Sequence, residues 1–232
     1  MTLCDAPVRS RVASLRATNI SLGAISALCV LLRIVYKAKF SVAELGWDDY
    51  FILATLLAGV PQTIITDKGT IAHGLGRDIW TLPFENVIIF SRWFYIMEVL
   101  YFLVVALLKL SLLFFFLRIF PARNIRRLLW GTIAFDIAFG IAFTVAAIFQ
   151  CRPISYYWTR FDDDHSGECV NINGLGWANA AISIALDLWM LALPLLQIFS
   201  LKLAWKKKIS VAFMFCVGTL FVTLHPYPIL LS

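Results

Sequence analysis

Four ionisable side chains, Glu98, Lys109, Asp136 and Asp187, lie inside stretches that are otherwise apolar. In a membrane, such groups mark proton relays, substrate tracks, or charge pairs that hold helices together. Glu98 and Lys109 are eleven residues apart on one run, about three helical turns and about 16 Å of rise. They share a stripe with Phe102, Val105, Leu112 and Phe116 but cannot touch each other. Each therefore needs a partner on another helix, or water in a cavity. Lys109 lies nine residues before Arg118, and Asp136 nine residues after Arg127. With both arginines at one membrane face, the two charges are level. The expectation is that Lys109 reaches Asp136, or Asp187 near mid-membrane. A fixed pair that locks helices is the simpler role, because breaking a buried pair costs about 3–5 kcal/mol. A polar track for a transported molecule is the alternative.

Two further pairs could act at helix ends. Asp48 and Asp49 open an apolar segment, where acids complement the helix macrodipole and satisfy free N–H groups; a partner or switch contact is the other reading. Cys151 and Cys169 bracket a polar stretch. If that stretch faces an oxidising compartment, a disulfide between them closes a loop of the size that gives about 3 kcal/mol. Free thiols, or competition from Cys4, are the alternatives. Enzyme chemistry finds little support. His73, His165 and His225 are the only histidines, too few for a di-iron cluster and none placed to ligate haem at a helix centre. Neither a P-loop nor a nucleophile elbow is present. Five scattered cysteines make neither a disulfide scaffold nor a zinc site. The chain is read as a non-enzyme with no metal.

These groups need helices in lipid to position them. The 232 residues are 61% hydrophobic and 15% charged, against roughly half and a quarter in soluble domains. The class is an all-α, polytopic transmembrane bundle. A net charge of +6 does not imply nucleic acid, because the basic residues collect in short turns between apolar runs. Residues 1–16 form a polar tail without a signal-peptide core. Spans are expected at about 17–36, 50–66, 92–118, 128–149, 174–201 and 209–224. Pro61 is expected to kink the second. Residues 67–83 are read as a loop, too polar and glycine-rich to span. Phe94–Phe120, which holds Glu98 and Lys109, is expected to sit in the middle of the bundle.

The tight clusters Arg118, Arg123, Arg126, Arg127 and Lys202, Lys206, Lys207, Lys208 are assigned to the cytoplasm. Asp162, Asp163, Asp164 and Glu168 then fall in an outside loop, and the N-terminus is outside. The basic bias is modest, since Arg9, Arg11 and Arg16 oppose it. The sequon at Asn19 sits at the membrane edge and is expected to be unused. Trp80, Trp93, Tyr156, Tyr157, Trp158 and Trp177 lie near outer helix ends. An interfacial belt is the default reading; a hydrophobic ligand pocket under the 151–173 loop is the sharper one.

Several stretches together resemble one family. They are LGWDDYFIL at 45–53, GLGRDIW at 74–80, YIMEVLYFLVVALLKLSLLFFFLRIF at 95–120, FQCRPISYYW at 149–158, Cys169, and LDLWMLALPLLQIFSLKLAWKKKISVAFMFCVG at 186–218. Their order and spacing are similar to those of the fungal rhodopsin-domain integral membrane proteins, the group of GPCR-like receptors and satratoxin-cluster-type membrane proteins. The resemblance implies a seven-helix, GPCR-like protein of the plasma membrane with its N-terminus outside. It also singles out Asp48 and Asp49, and Gly74 and Gly76 of the glycine loop; many relatives have His where Asp78 stands, which weakens a ligand role for that loop. The seventh helix is missing, and the end at 225–232 is atypical, so a truncated product is one reading. No retinal is expected, because the last-helix lysine position does not exist here and Lys109 is on the wrong helix. The functional expectation is a sensor of a small apolar or surface-derived cue. Its basic turns are short and give a trimeric G protein little to grip. A transporter or scaffold of a metabolite pathway is the alternative.

Overall fold

Each long apolar run becomes a helix and stops where proline, glycine or a polar turn interrupts it. The computed structural model describes residues 10–40, 46–78, 82–161 and 165–200. Helix α1 is Val12–Phe40, with Lys37 and Lys39 in its last turn, where cations favour the helix dipole. Helix α2, Trp47–Ile65, is capped by Gly46 and carries Asp48 and Asp49 in its first turn. Helix α3, Phe84–Ile119, starts after Pro83, has Arg118 in its last turn and stops before Pro121. Helix α4 is Arg123–Ile148. Strands β1 (Cys151–Arg152) and β2 (Glu168–Cys169) flank the short helix α5 (Tyr156–Thr159), and α6 is Ile172–Ser200.

Among the described residues, five helices are long and apolar enough to cross a membrane. The chain is an all-α helical bundle of membrane-spanning type. The first nine residues with Cys4 and Arg9, Trp80, Asp162–Asp164, the lysines at 202–208, the expected span at 209–224 and the end at 225–232 lie outside the described residues. Large apolar side chains cover the outer faces, among them Leu32 at 60%, Leu57 at 70% and Ile141 at 61% exposure. Water would penalise that surface, and a bilayer would not.

Residues up to Leu175 form one compact unit. In it α3 takes the middle: α2 packs on one side, α4 on another, and α5 against its first half, while α1 packs on α2. The α3 face turned inward carries Phe102, Lys109, Leu110, Leu113 and Phe116. Phe51 stacks on Phe114 at 5.0 Å across α2 and α3. Antiparallel α3 and α4 meet through Phe102 and Phe143 at 6.2 Å, and through Phe114 and Trp130 at 6.1 Å. Between these, a Cβ on Gly140 would come within 2.7 Å of the Ala106 Cβ, so glycine there allows a close approach of the two helices. From Gly176 onward α6 belongs to a second unit, and its buried Asn179, Leu186, Met190 and Leu193 fall on one helical stripe.

The expected loop at 67–83 is corrected at its start. The α2 helix does not end near Thr66 but continues as a π-helical segment, Thr66–Ile71, with Asp67, Gly69, Thr70 and Ile71 buried. Its polar groups are satisfied where they sit. Arg16 donates to Asp67 at 2.6 Å, the Thr70 hydroxyl donates to Thr66 O at 2.8 Å, and His73 Nδ1 lies 2.6 Å from Gly69 O. Composition marks this stretch as polar; neighbours on α1 and α3 make it helical. Asn19 likewise lies within α1, where its amide donates to Thr63 O at 3.0 Å.

Candidate functional site

Two polar clusters occupy opposite ends of α3. At its C-terminal end, Asp48 and Asp49 are buried, their side chains only 3% exposed. As first-turn acids they serve their own helix, since Gly46 N–H donates to Asp49 Oδ2 at 3.0 Å. They also reach two other helices. Arg33 donates to Asp48 at 2.6 Å, and Lys37 donates to Asp49 at 2.6 Å and to Asp48 at 3.2 Å. Arg118 of α3 lies 3.5 Å from Asp48 and 3.9 Å from Asp49. The Ser111 hydroxyl adds a donor to Asp48 O at 2.9 Å. Two carboxylates thus gather cations from α1 and α3, so the local capping role is only part of what this pair does. Arg33 and Lys37, one turn apart on α1, were the sequence signal for these partners.

The other end is built around the cystine. Cys151 and Cys169 are disulfide-bonded and face each other across the antiparallel pair β1–β2. The bridge pins residues 151–169 over the first half of α3, and α5 lies beneath it. Tyr157 is buried there, with its hydroxyl 3.5 Å from Glu98 Oε2. Gln150 Nε2 donates to the same carboxylate oxygen at 3.0 Å. Burial, and next the nearby Glu98 carboxylate, push the Tyr157 phenol above its ordinary range, which keeps it an O–H donor. Tyr95 packs on Tyr157 and Trp158 at 5.3 and 5.8 Å, and its hydroxyl donates to Ile148 O at 2.9 Å. Glu98 therefore finds its partners in the 150–157 connection. Gln150, just outside α4 and beside Cys151, carried no separate signal.

Removing the bridge gives a direct check on what it holds. A Cys151→Ser, Cys169→Ser double variant is expected to lose about 3 kcal/mol by loop closure alone. Thermal unfolding in detergent reads the loss, and an unchanged midpoint would contradict it.

Beside this cluster is a cleft of about 570 Å³, lined by Ile88, Ile89, Arg92, Trp93 and Ile96 of α3 and by Trp158 and Thr159 of α5. Its walls are apolar and its one charge is Arg92, whose guanidinium stands 5.9 Å from the Trp158 ring centre. Gly69 sets the position of Trp93: a Cβ at that site would lie 2.7 Å from Trp93 Cγ. The aromatic residues expected near the outer helix ends thus divide. Trp93 and Trp158 line the cleft, Tyr157 is buried beside it, and Trp177 on α6 is 74% exposed.

The remaining singled-out residues have separate places. Lys109 and Asp136 are both buried. With Ala106 opposite Gly140, Lys109 lies three residues further along α3 and Asp136 four residues back along α4, so they stand at one height. Asp187 lies on α6 in the second unit and is half-buried. Gly74 and Gly76 have φ of 143° and 83°, a region that favours glycine. The turn they make lets Arg11 N–H donate to Gly76 O at 2.9 Å. Their visible role is to shape the loop that meets the start of α1. Among the described residues no group of three or more His, Cys, Asp or Glu could hold a metal ion.

A helix bundle of membrane-spanning type, with a cystine-pinned loop at one end and a carboxylate–cation cluster at the other, defines the class. The profile of the fungal rhodopsin domain matches residues 32–225, and the chain belongs to that family. It is 29% identical over 180 residues to a SAT4 family membrane protein of Emericella nidulans, covering 75% of this chain and 42% of that protein. It is 28% identical over 205 residues to the fugralins biosynthesis cluster protein 2 of Gibberella zeae, covering 84% and 50%. It is 21% identical over 200 residues to the polyenoic acids biosynthesis gene cluster protein Ba17b of Metarhizium anisopliae, covering 85% and 54%. The chain spans about half the length of these curated relatives. No solved structure matches it.

Proposed function

We propose that this chain is a receptor-type membrane protein that senses a small apolar molecule at its cystine-bridged end. The observation that carries the reading is the cleft between α3 and α5, walled by Ile and Trp side chains and closed on one side by a disulfide-pinned segment. Sites for small molecules are concave, mostly apolar and set with a few polar groups. The same helix α3 runs from that cleft to the Asp48–Asp49 cluster, so a ligand that tilts or shifts α3 would alter contacts among three helices at the far end. In this reading the N-terminus and the cystine lie outside the plasma membrane, and Arg33, Lys37 and Arg118 face the cytosol, as basic residues near span ends prefer. No chemical reaction and no trimeric G protein is assigned. No retinal is assigned in this reading either.

A second reading draws on two relatives whose names place them in biosynthesis clusters. It makes the chain a transporter or scaffold of a metabolite pathway, with Glu98 and Lys109 along the path. The two separate by experiment. A sensor gives a ligand-dependent intracellular signal and no flux in sealed vesicles; a transporter gives flux. Accumulation of the candidate molecule in vesicles bearing the chain, without any signal in cells, would overturn the receptor reading.

A further inference from the structure

We infer that the α3–α5 cleft binds a single-chain amphiphile with an anionic head, a free long-chain carboxylate, with Arg92 as its counter-ion. The inference rests on the receptor reading for its purpose, but not for its geometry. Three features select this chemistry. The walls, Ile88, Ile89, Ile96, Trp93 and Trp158, are apolar; they suit a hydrocarbon chain, which gains roughly 0.8 kcal/mol for each buried CH₂. A volume of about 570 Å³ lies within the ~300–1,000 Å³ that holds one small molecule. It suits one acyl chain.

The head group follows from Arg92. This is the one charged side chain lining the cleft. Among the described residues it makes no ion pair, and its neighbour is the Trp158 ring. A guanidinium offers two parallel N–H donors that match a carboxylate, and such bonds are about twice as strong as neutral ones. Thr159, on the α5 side, keeps its hydroxyl on Ser155 O at 3.0 Å, so the charge of the head group falls to Arg92 alone.

Depth agrees with this assignment. Arg92 and Arg118 are 26 residues apart on α3, about 39 Å of rise, against roughly 30 Å of hydrocarbon. With Arg118 at one interface, Arg92 stands at the other, at the level of lipid headgroups. A carboxylate held there leaves its chain to run past Ile96, one turn deeper. An anionic molecule delivered through the outer leaflet would arrive in that orientation.

The test uses the full chain in nanodiscs of phosphatidylcholine, with radiolabelled oleate as probe. Saturable binding is expected. Oleyl alcohol, with the same chain and no charge, should compete at least about tenfold more weakly, the loss set by one charge-assisted bond. Arg92→Gln should weaken oleate binding by a similar factor and level the acid with the alcohol, while Arg92→Lys should keep part of the preference. Ile96→Trp, which fills the cleft and leaves the charge in place, should abolish binding of both. Equal binding of acid and alcohol, or oleate binding unchanged by Ile96→Trp, would overturn the assignment. Loss of oleate binding when phosphatidylserine replaces a fraction of the phosphatidylcholine would also overturn it, since the bilayer's own lipid would then be the occupant. Binding is read here without signalling, so failure of the receptor reading leaves a different result: oleate bound, and no response in cells.

Discussion

Asp49→Asn is expected to destabilise the protein by about 3 kcal/mol, although an asparagine at this third helical position can still accept the Gly46 N–H. The cost comes from across the bundle. Lys37 lies 2.6 Å from the Asp49 carboxylate and Arg33 lies 3.3 Å from it. Taking one charge away leaves Arg33, Lys37 and Arg118 around Asp48 alone. A buried pair broken on one side costs about 3–5 kcal/mol. The lower end applies because the Arg33 and Arg118 side chains are 38% exposed and remain partly hydrated. Folded proteins hold only about 5–15 kcal/mol in reserve, so the loss should be plain in the thermal midpoint of purified protein. If the acids served their own helix only, Asp49→Asn would leave the midpoint within about 0.5 kcal/mol of the parent. Removing a cation as well, in Asp49→Asn with Lys37→Met, should recover part of the loss.

The second large effect concerns the middle of the bundle. Lys109→Met and Asp136→Leu are each expected to cost about 3–5 kcal/mol, and the double variant clearly less than their sum. The two residues are buried on facing helices. The close approach of Gly140 to Ala106 puts them at one height. A charge left in so apolar a place has no water to replace its partner. Replacement of both by apolar side chains removes that penalty, and such swaps are often neutral or better. A double-mutant cycle on unfolding free energies measures the coupling, expected at 1 kcal/mol or more on the usual scale of about 0.5–3. Simple additivity would show that each charge serves a different neighbour.

Much of this fold was legible in the sequence because lipid imposes a simple rule. A span must satisfy its own backbone and present apolar side chains, so length and hydropathy locate helices well. The middle place of α3 followed from two charges within one apolar run. The cystine followed from two cysteines bracketing a polar loop. What stayed hidden depends on neighbours rather than on local composition. Asp67, Lys68 and Gly69 read as a turn, yet Arg16 neutralises Asp67 and the Trp93 ring fills the space beside Gly69, so the helix continues. Glu98 was visible as an acid inside an apolar run, but Gln150 was not visible as its donor, because an amide at a helix end has many ordinary uses. Asp48 and Asp49 looked sufficient as helix-start acids; the spacing of Arg33 and Lys37 put two cations on one face of α1, but only the packing of α1 and α3 on α2 brings them and Arg118 to the acids.

We propose that the chain spans the membrane with its cystine end outside and its carboxylate–cation end in the cytosol. Single-cysteine labelling tests it most directly. Asn124→Cys and Ser166→Cys are introduced one at a time, with Cys4, Cys29 and Cys216 replaced by serine and the cystine kept. Intact cells are then treated with a membrane-impermeant maleimide. Ser166→Cys should label at once, and Asn124→Cys only after permeabilisation. Labelling of Asn124→Cys in intact cells, with Ser166→Cys protected, would contradict the claim.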